Sequence, residues 1–164
     1  MRHWPVEEYV ALHGRHLKRA ATLLTGDSYA AEDLCQDTLA RMVTAWPRIR
    51  SPDAAHSYAL TTMARLYRRQ QKRRWLAETP TACLPEQSLP SPDVAESVTL
   101  RACLAQLPPG QRAVLVLRYY GDLTVAETAK ALHCSQGNVK SQSSRGLARL
   151  QDLWDSAEPS RSQP

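Results

Sequence analysis

The stretch TVAETAKALHCSQGNVKSQSSRGLARL, residues 124–150, decides the architecture of this chain. Thr124 and Glu127 have the spacing of a capping box, in which a hydroxyl and a carboxylate each satisfy the other's backbone amide at a helix start. A short helix from Val125 to Leu132 follows, then a three-residue break at His133-Cys134-Ser135. Ser135 can cap a second, longer helix with Val139, Ser143, Gly146, Leu147 and Leu150 facing inward. Ala129 is small where the two helices would cross. Together these features give the layout of a helix-turn-helix. His133 departs from it, because such turns usually carry glycine with positive φ, although histidine enters that region more readily than most residues. With the second helix in a major groove, Gln136, Asn138, Lys140, Ser141, Ser144 and Arg145 avoid the apolar stripe near its N-terminus. Those residue types suit base edges and phosphates, and the competing reading is a solvated polar face on an ordinary helix hairpin.

Outward from this segment, apolar residues recur at helical spacing and no useful strand alternation appears, so the fold class is all-α. Val6, Tyr9, Val10, Leu17, Ala20, Ala21 and Leu24 outline a first helix ending at Thr25-Gly26-Asp27. A second starts near Asp27 or Ser28, carries Glu32 and Asp33 in its early turns, and stops at Pro47. Its apolar stripe is Cys35, Leu39, Met42, Val43 and Trp46. A third follows Ser51-Pro52-Asp53 with Ala55, Tyr58, Ala59, Thr62, Met63, Leu66 and Tyr67 inward. Between Leu76 and Ala95, Pro80, Pro85, Pro90 and Pro92 break the helical pattern, while Glu78, Glu86 and Asp93 occur without any lysine or arginine. That stretch reads as a flexible acidic linker. Beyond it, Leu100, Cys103, Leu104 and Leu107 suggest a helix ended by Pro108-Pro109, and Ala113, Val114, Leu117 and Tyr120 suggest another ended by Gly121.

The 164 residues therefore divide into two small helical domains, 1–75 and 96–153, joined by a linker over 76–95 and followed by a tail, 154–164, that reads as disordered. Composition fits packed cores, with 43% hydrophobic and 23% charged residues, and the formal charge of +5 makes a polyanionic partner plausible. The N-terminus has no continuous apolar run for a signal peptide or membrane span, which predicts a cytoplasmic protein. Cys35, Cys83, Cys103 and Cys134 are scattered, without a C-x-x-C pair or a regular relation to the histidines, and read as packing residues rather than metal ligands. No nucleophile arrangement and no glycine-rich phosphate loop occurs, so neither an enzyme nor a cofactor is expected.

Two further surfaces carry information. Arg65, Arg68, Arg69 and Lys72 share one face of the third helix, within a basic run reaching Arg74 and interleaved with Tyr58, Tyr67 and Trp75. Arginines there can engage phosphates and an aromatic can stack on an unpaired base; a merely soluble basic face is the alternative. On the second helix, Asp33, Gln36, Asp37, Arg41 and Thr44 lie opposite the apolar stripe, an acidic and amide-bearing face better suited to protein than to DNA.

Three stretches resemble the extracytoplasmic-function, or group IV, sigma factors of bacterial RNA polymerase, in particular their SigE-like actinobacterial branch. Leu23-Leu24-Thr25-Gly26-Asp27 with Ala31-Glu32-Asp33-Leu34-Cys35-Gln36-Asp37 resembles sigma regions 2.1 to 2.2. Residues Leu107 to Tyr120 resemble the start of region 4, and Ala126-Glu127-Thr128-Ala129 with Val139-Lys140-Ser141 through Leu150 resembles its helix-turn-helix. The similarity covers about residues 6–152. It implies an alternative sigma factor that binds core polymerase, through its β′ clamp helices and β flap, and directs promoter-specific initiation. Asp33, Gln36, Asp37 and Arg41 would then contact polymerase. The loop Ile49 to Asp53 with Tyr58, Thr61, Arg65, Arg68, Arg69 and Lys72 would open and hold the minus-10 element, and the helix-turn-helix would read the minus-35 element. An anti-sigma protein is a further implied partner. This chain lacks phenylalanine, has Gln136-Gly137-Asn138 where Val-Gly-Thr is frequent, and has His133 in place of glycine, so its minus-35 sequence cannot be borrowed from a relative. The alternatives are a stand-alone helix-turn-helix regulator that needs no polymerase and a sigma-like protein-interaction module.

Overall fold

The computed structural model describes residues 4–77 and 92–157, which are helical throughout with no strand among the described residues. The helices are α1 (Val6–Thr25), α2 (Ser28–Ala45), α3 (Pro52–Leu76), α4 (Pro92–Ala105), α5 (Pro109–Leu115), α6 (Val125–Leu132) and α7 (Gln136–Ala157). A 3-10 turn, Trp46–Arg48, follows α2, and a π-helical turn, Val116–Tyr120, prolongs α5.

Local chemistry sets these ends. Gly26, at φ 73°, closes α1 with its N–H donating to the Thr22 carbonyl at 2.8 Å. The Asp27 carboxylate then accepts from the Ala30 N–H at 2.9 Å and starts α2. Ser51 caps α3 in the same way, accepting from the Ala54 N–H at 3.2 Å, and Pro52 occupies a first-turn position where no N–H is needed. Thr124 and Glu127 form both arms of the capping box, at 3.1 and 2.7 Å. Thr124→Ala removes one arm and should cost about 1 kcal/mol, a fall of about 2–4 °C in melting temperature followed by circular dichroism.

The first three helices bury Leu17, Leu24, Leu34, Met42, Leu60, Met63 and Tyr67 among themselves. Without phenylalanine, the aromatic part of this core is built from Tyr67 and from a cluster of Trp4, Tyr9 and Trp46 with ring centroids 5.3–5.6 Å apart. The Trp46 indole donates to the Trp4 carbonyl at 2.7 Å, so the polar tip of a buried ring is satisfied. The second half packs α4, α5 and α7 around Leu104, Leu107 and Leu115. The larger apolar cluster does not stop at the boundary: Val114, Leu117, Leu123, Leu132 and Val139 continue the core of the first three helices. The two halves thus share apolar surface in a closed arrangement.

Several expectations are corrected. Val43 and Leu147 stand out in solvent, 55% and 42% exposed, because their neighbours Met42 and Gly146 hold the inward positions. Tyr58 is exposed rather than inward, and Leu34, unremarked in the second-helix stripe, is fully buried. The loop before α3 is shorter than Ile49 to Asp53, since Pro52 and Asp53 already belong to the helix. Helix α4 starts at Pro92, inside the stretch read as linker, because proline at a first helical position continues a helix where it would break one further in. Helix α7 runs to Ala157, into the stretch read as tail. Linker residues 78–91 with Cys83, and tail residues 158–164, lie outside the described residues.

Candidate nucleic-acid interface

Helices α6 and α7 form a tight pair. His133 takes the left-handed conformation, φ 51° and ψ 49°, at the end of α6, the glycine-like geometry that the turn demands. The Cys134 N–H donates back to the Ala129 carbonyl at 3.0 Å, and the Ser135 hydroxyl accepts from the Asn138 N–H at 3.1 Å to start α7. Ala129 and Val139 are buried between the helices. Gly146 lets α7 approach α5: a Cβ there would lie 3.2 Å from Leu115 Cδ1. With one side of α7 fixed, Gln136, Asn138, Lys140, Ser141, Ser144 and Arg145 all fall on its exposed side. The structure brings these six together on one accessible helical face.

The basic face of α3 is placed differently. All four of Arg65, Arg68, Arg69 and Lys72 are exposed, and Arg65 and Arg68 also reach across to α6. The Arg65 Nε donates to the Ala131 carbonyl at 3.0 Å and its Nη2 to the Lys130 carbonyl at 3.2 Å, while Arg68 Nη1 donates to the Leu132 carbonyl. These are last-turn carbonyls of α6, which have no partner within their own helix and carry the negative end of its dipole. Two cations expected to meet nucleic acid therefore cap the first helix of the helix-turn-helix. Thr61 is half-buried on the same helix.

The α2 face is intact as expected, with Asp33, Gln36, Asp37 and Arg41 exposed. Gln36 donates to Glu32 at 3.2 Å, and Glu32 pairs with Lys18 of α1 at 2.7 Å. Asp37, Arg41 and Thr44 also line an open groove of about 480 Å³ shared with Arg48 and Tyr58, so this surface runs directly into the aromatic end of the α3 surface.

Three elements were not legible as important. Arg112 is 7% exposed and donates to the Leu24 carbonyl at 2.8 Å, the Ala105 carbonyl at 2.5 Å and the Leu107 carbonyl at 3.0 Å, joining the two halves. His13, His16 and His56 gather beside Tyr120 and Asp122. Gly121 touches Leu60 of the other half. Sequence spacing carries no signal for these, since each partner lies far away along the chain. Among the described residues, no group of three or more His, Cys, Asp or Glu side chains is arranged to hold a metal ion, and no helix is long and apolar enough to cross a membrane. Cys35 and Cys103 are buried free thiols, raised above the ordinary thiol range by burial, in keeping with packing roles.

Comparison with known proteins settles the family. The family model "Sigma-70 region 2" matches residues 9–76, and "Sigma-70, region 4" matches residues 97–150. The RNA polymerase sigma-E factor of Streptomyces coelicolor is 39% identical over 150 residues, covering 89% of this chain and 84% of the relative. ECF RNA polymerase sigma factor SigL of Mycobacterium tuberculosis is 35% identical over 140 residues, covering 79% and 77% of the two chains. The chain belongs to the extracytoplasmic-function sigma factors. As an alternative sigma factor it acts with RNA polymerase and promoter DNA in transcription initiation. The all-α fold is also that of solved sigma factors. RpoE in its complex with NepR from Bartonella quintana aligns with a TM-score of 0.70 at 22% identity, covering 90% of this chain and 94% of that one. CnrH in complex with the cytosolic domain of CnrY aligns with a TM-score of 0.58 at 24% identity.

Proposed function

We propose that this sigma factor divides its work among three surfaces. The exposed face of α7, with Gln136, Asn138, Lys140, Ser141, Ser144 and Arg145, reads the minus-35 element in the major groove. The α3 face, with Tyr58, Thr61, Arg65, Arg68, Arg69 and Lys72, holds the opened minus-10 strand, its arginines on phosphates and Tyr58 against a base. The α2 face, with Asp33, Gln36, Asp37 and Arg41, docks on the clamp helices of core polymerase, and the C-terminal half meets the β flap. Helices α1–α3 and helices α4–α7 are the two working domains, and the stretch between Leu76 and Pro92 joins them. The observation that carries this reading is the α6–α7 pair: capping box, left-handed turn and buried crossing leave a polar face where a recognition helix needs one. The protein works in the cytoplasm and contributes binding rather than covalent chemistry. An anti-sigma partner is part of the proposal, since RpoE is described as bound to the anti-sigma factor NepR and CnrH as bound to the cytosolic domain of CnrY.

Run-off transcription with purified core polymerase, beside gel shifts with the protein alone, tests this directly. Arg145→Ala should weaken minus-35 duplex binding about tenfold while leaving polymerase affinity unchanged. Asp37→Ala should weaken polymerase association and leave duplex binding unchanged. Tight specific binding and regulation without polymerase would instead indicate a stand-alone regulator, and polymerase binding without promoter opening would indicate an interaction module. Wild-type core affinity in Asp37→Ala would remove the α2 assignment.

A further inference from the structure

The two halves meet at a group of aromatic and titratable side chains with no role in the surfaces above. His16 of α1 stacks on Tyr120, at the end of the π-helical turn, with ring centroids 4.4 Å apart and planes 12° from parallel. The Tyr120 hydroxyl donates to the His16 carbonyl at 3.3 Å. His56 of α3 lies 5.1 Å from His16 and 5.9 Å from His13, ring to ring. A cavity of about 450 Å³ beside them takes its walls from both halves, including Asp53 on one side and Asp122 and Glu127 on the other. We propose that this seam is a proton-operated latch: His16 and His56 hold the two halves closed while neutral, and their protonation releases the halves from one another.

The geometry requires neutral rings. The Nε2 of His16 and the Nδ1 of His56 are buried with no hydrogen-bond partner. A neutral imidazole has one nitrogen without a proton and tolerates this, whereas an imidazolium has two donors, one of which would be buried without an acceptor. The neighbouring imidazoles, 5.1 and 5.9 Å from His56 ring to ring, also disfavour a charge on it.

Opposing groups are present. Asp122 and Asp53 favour the charged form, and the Tyr120 ring face attracts a cation. No carboxylate in the cavity wall hydrogen-bonds an imidazole, however. Burial first, and then the neighbouring imidazoles with Arg19, outweigh these attractions and hold His16 and His56 below the ordinary histidine range. Released to water, the same rings regain their ordinary affinity for protons, so the closed arrangement binds fewer protons than the open one. It is fully stable above the ordinary histidine value, about 6.5, and weakens as pH falls below it by up to about tenfold per pH unit for each ring. Opening also frees Arg65 and Arg68 from the α6 carbonyls, so more of their donors become available on the α3 face.

Small-angle X-ray scattering on the full chain reads the latch without DNA or polymerase, and its result stands apart from the promoter assignments. A closed chain of this length should have a radius of gyration near about 15 Å. Lowering pH from 7.5 to 5.5 should expand the chain, with the closed-to-open ratio falling by up to about tenfold for each ring and helicity by circular dichroism unchanged. The double substitution His16→Gln, His56→Gln should abolish the pH response. If the double variant is not helical, His56→Gln alone must make the transition shallower. A wild-type chain that stays compact at pH 5.5, an expansion that accompanies loss of helicity, or variants that respond as the wild type does would each overturn the latch.

Discussion

Arg112→Ala should lower the unfolding free energy by about 3 kcal/mol, the largest loss expected from any single truncation of a polar side chain in the described structure. The guanidinium is the rare cation that the fold buries, and it answers three carbonyls whose own helices cannot. Leu24 lies in the last turn of α1 and Ala105 ends α4, so both carbonyls belong to the unpaired set that every helix leaves at its C-terminus. Leu107 lies in the turn before α5. A hydrogen bond from a charged donor contributes roughly 1.5–3 kcal/mol, and the cost of desolvating the cation removes part of the sum of three. Alanine would also leave the carbonyls buried without donors. Urea denaturation followed by tryptophan fluorescence should show the loss, with a fall in melting temperature of about 6–12 °C. Arg112→Lys should recover under half of it, because an ammonium keeps the charge but not the fork that spans three acceptors. A loss below about 1 kcal/mol in Arg112→Ala would mean that water replaces the guanidinium at little cost.

What the sequence discloses and what it conceals separate along physical lines. Helix ends are local events: Gly26, Asp27, Ser51-Pro52 and the Thr124–Glu127 box each act within four residues, and each is where spacing places it. The exposed side of α7 follows from the same short-range logic. Exposure of adjacent apolar residues does not: Leu34 and Cys35 are both buried whereas Met42 is buried and Val43 exposed, and only packing decides between these outcomes. The π-helical turn that carries Tyr120 to the seam has no distinctive composition. Contacts between the halves were least legible. Arginines at 65 and 68 read equally well as phosphate ligands and as caps for a distant helix, and a linker permits both open and closed arrangements. The closed arrangement gives those arginines a second use, which connects the fold to the proposed minus-10 surface: the N–H groups that cap α6 are not free to grip a strand.

Gly121→Val separates these two uses. Gly121 has an ordinary helical backbone, φ −88° and ψ −6°, so valine causes no conformational strain there. Space is the constraint. A Cβ at this position would lie 2.7 Å from Leu60 Cδ1 of α3 and 2.9 Å from the Leu117 carbonyl oxygen. The leucine tip can move, but the carbonyl belongs to the π-helical turn and cannot without unwinding it. A branched side chain therefore acts as a wedge between α3 and the turn, at the seam that Arg65, Arg68 and the histidines otherwise hold shut. Overpacking of this kind costs about 1–3 kcal/mol; separating the halves relieves the contact with Leu60, whereas the contact with the Leu117 carbonyl lies within the second half and is met by a shift of the turn itself. The variant should keep its helicity, scatter as an expanded chain at pH 7.5, and lose about 2 kcal/mol against urea. With Arg65 and Arg68 released, it should also bind a single-stranded minus-10 oligonucleotide more tightly than the wild type, an increase that Arg65→Ala in the same background removes. If the variant remains as compact as the wild type and binds the oligonucleotide no better, the arginines are not withheld by the closed arrangement, and α3 must meet the strand through Arg69, Lys72 and Tyr58 alone.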